Sequence, residues 1–351
     1  MVSETPNLPV VHDALLPERH PQYDLFICDV ADAVLKDVMP QMEHPFYSLS
    51  KKPETSVRRY EHNGQWLEIT PSVKGLATIY DKDILIYCIS QIMAKLKAGE
   101  KVSQRVRISS RELLIFANRG TAGKDYKALV EALDRLEGTR IRTNIVTGDE
   151  EQVDGFGLID ASSIRRKHGL DGRLIHCEIK LSDWVFNAIK SNDVLTLHRD
   201  YFRLRKPLER RVYELARKHC GQQTAWKASL EILLKKSGSQ SPEKLFRQMI
   251  KNLAASDHLP DYRVEFDPKK DMVTFTNRGT MKAAAPAAEA WKGGLDPDIY
   301  GDARNVAPGW DVHYLEGEWR MWLGDNEIVP KNPERHFIKF CETWFAKRGR
   351  P

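Results

Sequence analysis

Between residues 206 and 278 the spacing of apolar positions changes from helical to alternating. KPLERRVYELARKHCG (206–221), TAWKASLEILLKKSG (224–238) and SPEKLFRQMIKNLAAS (241–256) read as a helix, a short helix and a third helix. YRVEF (262–266) and MVTFTNR (272–278) read as a hairpin. That order of elements is the order of a winged helix. In the third helix Ser241 is expected to cap the N-terminus, with Pro242 at the first helical position. Leu245, Phe246, Met249, Ile250 and Leu253 form its core stripe. Opposite them Lys244, Arg247, Gln248 and Lys251, at i, i+3, i+4 and i+7, form a polar stripe without a carboxylate. A solvated helix face has this pattern. So does a helix that enters the major groove of DNA, where Arg and Lys read guanine and Gln reads adenine.

The same order occurs earlier. Residues 81–98 place Leu85, Cys88, Ile89, Ile92 and Leu96 on one helix face, and Gly99 ends it. A strand is expected at 105–109, a short helix at 111–120 and a third helix at 125–137 with Tyr126, Leu129, Val130, Leu133 and Leu136 inward. The runs 139–148 and 156–166 read as paired strands, with the acidic loop GDEEQVD (148–154) as their wing. A further strand at 173–182 and a short helix at 183–191 follow, and 195–205 joins the two units. Ahead of them a hairpin turns at Asn63-Gly64 within 57–71. Residues 45–53 read as a strand and a basic loop, 24–39 as a short helix, and 1–22 as a loose arm. After Arg278, residues 281–294 form an Ala-Pro-Gly linker. The tail is expected to be two short amphipathic helices whose Trp310, Leu315, Trp319, Trp322, Phe337, Phe340 and Trp344 build a very small core, the alternative being a surface that awaits a partner. The resulting architecture is α+β: an N-terminal arm (1–44), a first winged helix with an N-terminal hairpin (45–192), a second winged helix (193–280), the linker, and a small helical domain (295–351).

Composition narrows the chemistry. At 351 residues, 41% hydrophobic and 29% charged, the chain is ordinary for a soluble protein of about two to three domains. Its net charge of +5 permits nucleic acid as a partner. The local distribution says more: between 203 and 222, Arg203, Arg205, Lys206, Arg210, Arg211, Arg217 and Lys218 face only Glu209 and Glu214. The five cysteines are scattered and include no CxxC, which argues against a zinc ribbon and fits reduced thiols in the cytoplasm. No signal peptide or membrane span is expected. There is no GxxxxGK[ST], no HExxH, and no His-x-His of the kind a rolling-circle nickase needs. Arg210, Arg211, Tyr213 and His219 lie on one helix and do not converge as a tyrosine recombinase site requires. No metal or cofactor site is expected. TAGKDY (121–126) is a weak phosphate-nest signal, and Lys124 and Lys127 there are candidates for a DNA phosphate contact.

The stretches PFYSLSKKP, RRYEHNGQWLEITPSVKGLATIYDKDILIYCISQIM, LLIFANRGTAGKDYKALVEALDRLEGTRIRTNI, LSDWVFNAI, VLTLHRDYFRLRKPLERRVYELARKHCG and LPDYRVEF resemble the plasmid replication initiator protein A family, within the wider group of iteron-binding initiators with tandem winged helices. They cover roughly 45–278. The resemblance implies binding to repeated sites of double-stranded origin DNA, origin melting, and recruitment of host replication proteins such as a helicase or its loader. It also implies repression of the protein's own promoter, a monomer–dimer equilibrium with dimer contacts from the first winged helix, and no catalytic activity. Carried onto this sequence, Lys244, Arg247, Gln248, Lys251 and Asn252 are the candidate base or phosphate readers. Lys269 and Lys270 sit in the second wing, and Arg203, Arg205, Arg210 and Arg211 are expected to grip phosphates. The acidic loop 148–154 departs from the pattern, and the apolar IRTNIV (141–146) beside it is the expected dimer strand. The rival functions are a transcriptional repressor built from the same modules and a strand nickase or recombinase.

Overall fold

Strand β1 (Lys36–Val38) and helix α1 (Met39–Glu43) are the first named elements of the computed structural model, which describes residues 15–20, 35–50, 52–147, 155–166, 174–282, 293–297, 299–325, 330 and 332–349. The chain divides into two compact units, Met1–Arg278 and Gly279–Pro351. The short helix expected over 24–39 is corrected in its described part: Lys36–Val38 is a strand, paired with residues 194–196. Pairing with a distant strand has overridden local propensity there. Nor is there a strand at 45–49; Ser48 makes a single parallel bridge to Thr78. Residues 15–20, expected to be loose, are bonded: Leu16 N–H donates to the Arg203 carbonyl at 2.8 Å, and Leu15 bridges Leu204.

Strands β2 (Arg58–His62) and β3 (Gln65–Thr70) form the expected hairpin. Asn63 and Gly64 sit at φ +52° and +76°, which a tight two-residue turn requires. Helix α2 (Lys82–Lys97) follows, buried on nearly every side along its first three turns, so it is a central helix and not a surface one. Next come β4 (Arg105–Ser109), α3 (Ser110–Phe116), α4 (Gly123–Gly138), β5 (Arg140–Thr143), β6 (Phe156–Gly157), β7 (Ile159–Arg166), β8 (Leu174–Leu181) and α5 (Asp183–Lys190). Here the strand pairing differs from expectation. β5 joins a sheet of order β2-β3-β5-β6, while β7 pairs with β8 in a sheet of order β4-β8-β7. The wing is therefore the β7–β8 hairpin. The acidic loop 148–154, expected to be the wing, joins β5 to β6 instead and lies outside the described residues. Alternation reveals which face of a strand is buried; it does not name the partner.

The second winged helix runs β9 (Val194–Thr196), α6 (Pro207–His219), β10 (Ala225–Ser229), α7 (Leu230–Ser237), α8 (Glu243–Ser256), β11 (Tyr262–Asp267) and β12 (Met272–Asn277). Its sheet order is β10-β12-β11: first strand, third, second. The first winged helix has the same permutation. In both, a serine ends the first strand and caps the next helix: Ser109 Oγ accepts from Glu112 N–H and Ser229 Oγ from Ile232 N–H. The duplicated order of elements is thus a duplicated topology. The expected cap at Ser241 is corrected. Ser241 N–H instead meets Ser239 Oγ, Pro242 takes the N-cap position, and its carbonyl opens the helix. Leu245, expected in the core, is 52% exposed.

Two cores fill the first unit. One gathers β2, β3, α2, α4 and the β8 side; the other gathers α6, α7, α8 and β11–β12, and takes in Met42, Ile86 and Ala117 from the first half. Between them lies a buried ionic network. Lys82 Nζ, with no solvent exposure, is 2.5 Å from Asp37 Oδ2 and 2.9 Å from Glu214 Oε1. Asp83 pairs with Arg210 at 2.7 Å and with Arg119 at 2.8 Å. Burial pushes the Asp37 carboxyl up to about 6, against the pull of Lys82.

After α9 (Arg278–Lys282), the second unit contains α10 (Ile299–Val306), α11 (Val312–Asp325) and α12 (Pro333–Arg348). Leu315, Trp319, Phe337 and Cys341 are fully buried and form its core, with Trp310, Phe340 and Trp344 packed partly against them. Trp322 stays 40% exposed. Of the expected linker, residues 283–292 lie outside the described residues.

Candidate nucleic-acid interface

Phe246, Ile250 and Leu253 seat α8 in its core and fix which side it shows. On that side Lys244, Gln248, Lys251 and Asn252 are exposed. Gln248 Nε2 donates to Asn252 Oδ1 at 2.9 Å, aligning two amide ends along the helix. The Lys251 ammonium lies 6.0 Å above the Phe266 ring, which turns it toward the hairpin. In the wing, Asp267 accepts from the backbone N–H of Lys269 at 2.9 Å and of Lys270 at 3.3 Å. This closes the turn and leaves both lysine side chains outside. Helix α8 and the wing thus present one cationic, amide-bearing surface.

Arg247 belongs to it differently from expectation. Its guanidinium pairs end-on with both oxygens of Asp271 in the wing turn, one of them at 2.8 Å, and with Glu243 at 2.5 Å. The hydrogen bond to Asp271 first, then that to Glu243, raises the affinity of Arg247 for its proton. Arg247 thus meets one carboxylate from its own helix, Glu243, and one from the wing, Asp271.

Arg210 and Arg211 are corrected outright. Both are 3% exposed. Arg210 pairs with Asp83, donates to the carbonyls of Leu204 and Phe202 at 3.1 Å, and lies 4.7 Å above the Tyr80 ring. Arg211 donates to the carbonyls of Met42 at 2.8 Å, Glu43 at 3.0 Å and Lys236 at 2.8 Å, and meets Glu214. Both guanidiniums are turned inward, away from solvent. Arg203 is half-buried against Asp200 and the Leu16 carbonyl. Arg205 is exposed.

Lys124 and Lys127 are exposed on the first turns of α4. The buried residues Leu129, Leu133 and Leu136 of α4 repeat the spacing of Phe246, Ile250 and Leu253. That register sets Lys127 at the place of Lys244, but Glu131 at that of Gln248 and Asp134 at that of Lys251. Asp134 pairs with Lys74, and Arg135, in the place of Asn252, is held by Asp81 at 2.7 Å. Only the start of α4 offers cations. Within IRTNIV, Ile141 is fully buried and paired on both sides, with Ile69 of β3 and Phe156 of β6, while Val146 is exposed. Among the described residues no cluster of metal ligands occurs, and no helix is long and apolar enough to cross a membrane.

Sequence reasoning missed the network of Asp37, Lys82, Asp83 and Glu214. Its one signal is DKD at 81–83, three charges opening an otherwise apolar helix.

A family model described as Replication initiator protein A matches residues 36–264. A putative replication protein of Wigglesworthia glossinidia brevipalpis is 38% identical over 260 residues, 73% of this chain and 94% of that protein. Among solved structures, domains 2 and 3 of RctB match with a TM-score of 0.50 at 12% identity, over 71% of this chain and 98% of that one. The Pi initiator protein in complex with iteron DNA gives 0.41 at 15% identity, over 57% of this chain and 91% of that one.

Proposed function

The chain belongs to the replication initiator protein A family, and we propose that it starts plasmid replication by binding repeated sites in double-stranded origin DNA through its winged helices. It then opens the origin, recruits a host helicase or its loader, and represses its own promoter when bound nearby. The observation that carries this reading is the α8 face of Lys244, Gln248, Lys251 and Asn252 beside the wing lysines Lys269 and Lys270. Long amide and cationic side chains on one helix suit base edges in the major groove, and the wing suits the adjoining phosphates. Lys124 and Lys127 place the first winged helix on the backbone.

Footprinting on the DNA flanking its own gene tests the reading: protected repeats are expected, and uniform cleavage would sink it. A plasmid carrying only the protected segment should be maintained when the gene is supplied in trans. Promoter repression without such maintenance would make the protein a repressor instead. Supercoiled origin DNA with protein and a divalent metal should stay unnicked.

A further inference from the structure

We infer that Arg247 is a positioning residue: with Glu243 and Asp271 it clasps the wing to the reader helix, holding Lys269 and Lys270 at a set place relative to Gln248, Lys251 and Asn252. The inference rests on the DNA-binding reading above. By sequence Arg247 is the natural guanine reader, central on the helix and opposite Ile250. Three of its five N–H donors are already committed, however. A guanidinium reads guanine O6 and N7 with two parallel N–H groups. In Arg247 the outer pair of N–H groups faces the two Asp271 oxygens, and the second N–H of Nη2 faces Glu243. Turning to a base exchanges contacts with two charged carboxylates for contacts with neutral acceptors, and charge-assisted bonds are the stronger kind.

Asp271 is the other half of the clasp. It lies at φ +52°, a conformation Asp tolerates, as the last residue of the wing turn. Its backbone carbonyl accepts from Leu230 N–H at 2.9 Å at the start of α7. Its side chain reaches α8. One residue thereby ties the wing turn to both helices beneath it. A two-stranded wing has little stability by itself, so these ties decide where its lysines stand.

The test is a double-mutant cycle on the full chain: Arg247→Gln, Asp271→Asn and both together, which leaves net charge as in the wild type. Asn keeps the left-handed turn. Affinities are measured for the protected origin repeat and for a scrambled duplex, and the readout is their ratio, in which a change of net charge cancels. A clasp predicts that each single variant lowers the ratio on the order of fivefold, and that the double is no worse than either, because groups in direct contact are coupled. It also predicts that Lys269→Ala costs less specific affinity in the Asp271→Asn background than in the wild type. If Asp271→Asn leaves the ratio unchanged or raises it while Arg247→Gln lowers it, Arg247 is a base reader released by losing its carboxylate, and the inference is overturned. If the wild type discriminates and no variant changes the ratio, the clasp is an inert surface ion pair and the inference again fails alone. If the wild type binds both duplexes equally, the DNA-binding reading falls and takes the inference with it.

Discussion

Arg210 and Gln248 define the two ends of what a polar residue does in this protein. Arg210 satisfies Asp83 in a place water does not reach. Breaking a buried pair outright costs ~3–5 kcal/mol; here Asp83 keeps Arg119, so the loss belongs at the lower end. Arg210→Ala is therefore expected to lower stability by that order, read as the shift in urea midpoint, and a shift near zero would contradict the network. Gln248→Ala is expected to leave stability alone, weaken binding to the specific repeat by ~1–3 kcal/mol and barely alter binding to scrambled DNA. His44 and His219 add a pH dependence. Burial foremost, aided by nearby cations, lowers both to about 4 from 6.5. A base whose folded value is depressed gives stability that is present above 6.5 and lost as pH falls toward 4. Asp37, raised to about 6, acts in the opposite sense: its contribution is complete below pH 4 and disappears as pH rises through 6. With two groups against one, the midpoint should fall between pH 6.5 and 4.5, and His219→Asn should flatten that fall. At this scale the sequence was a poor guide to role: the run 203–218 has the composition of a phosphate grip, yet burial claimed two of its central arginines. A basic run records charge, whereas the fold around it decides which charges stay in water.

The elements were more legible than the residues. Helix spans for α2, α4, α6 and α8 followed from apolar period and from the breakers at Gly99, Gly138 and Gly221. The hairpin at Asn63-Gly64 followed from the one dipeptide that makes a φ > 0 pair cheap. Partner choice did not follow, because β5 and β7 both alternate and both bury an Ile face. What separates them is a neighbour distant in sequence: Leu67 and Ile69 for β5, Cys177 and Ile179 for β7. The duplicated capping serines are a test at this scale. Ser109→Ala and Ser229→Ala each remove one acceptor from a helix N-terminus and should each cost ~1 kcal/mol. They cap different helices and share no hydrogen-bond partner, so the two losses should add within about 0.5 kcal/mol. Marked coupling between them in urea unfolding would show that the two winged helices communicate through those helices.

At the scale of the whole molecule the two winged helices behave as one body. The expected boundary at 192/193 cuts through β1–β9 pairing nearby and separates Lys82 and Asp83 from Glu214 and Arg210. Of the candidate phosphate and base contacts, seven cations stay exposed: Lys124, Lys127, Arg205, Lys244, Lys251, Lys269 and Lys270. At ~0.9 ion per contact, all seven on phosphates would give a slope of log affinity against log salt near about −6 per protomer. The fragments then follow. Residues 1–278 hold both winged-helix cores and every partner in the ionic network, so this fragment should unfold cooperatively and bind the origin repeat as the full chain does. Residues 193–280 contain the entire reader surface, yet they expose Arg210, Arg211 and Glu214 without Asp83, the Met42 carbonyl or Lys82. They also lose Met42, Ile86 and Ala117 from their core. This shorter fragment is expected to be poorly folded, with weak near-UV circular dichroism and collapsed amide dispersion, and to bind specific and scrambled duplexes alike. Native dispersion and full specificity in residues 193–280 would show that the buried charges are not needed to form the reader, and that the two winged helices are separate domains after all.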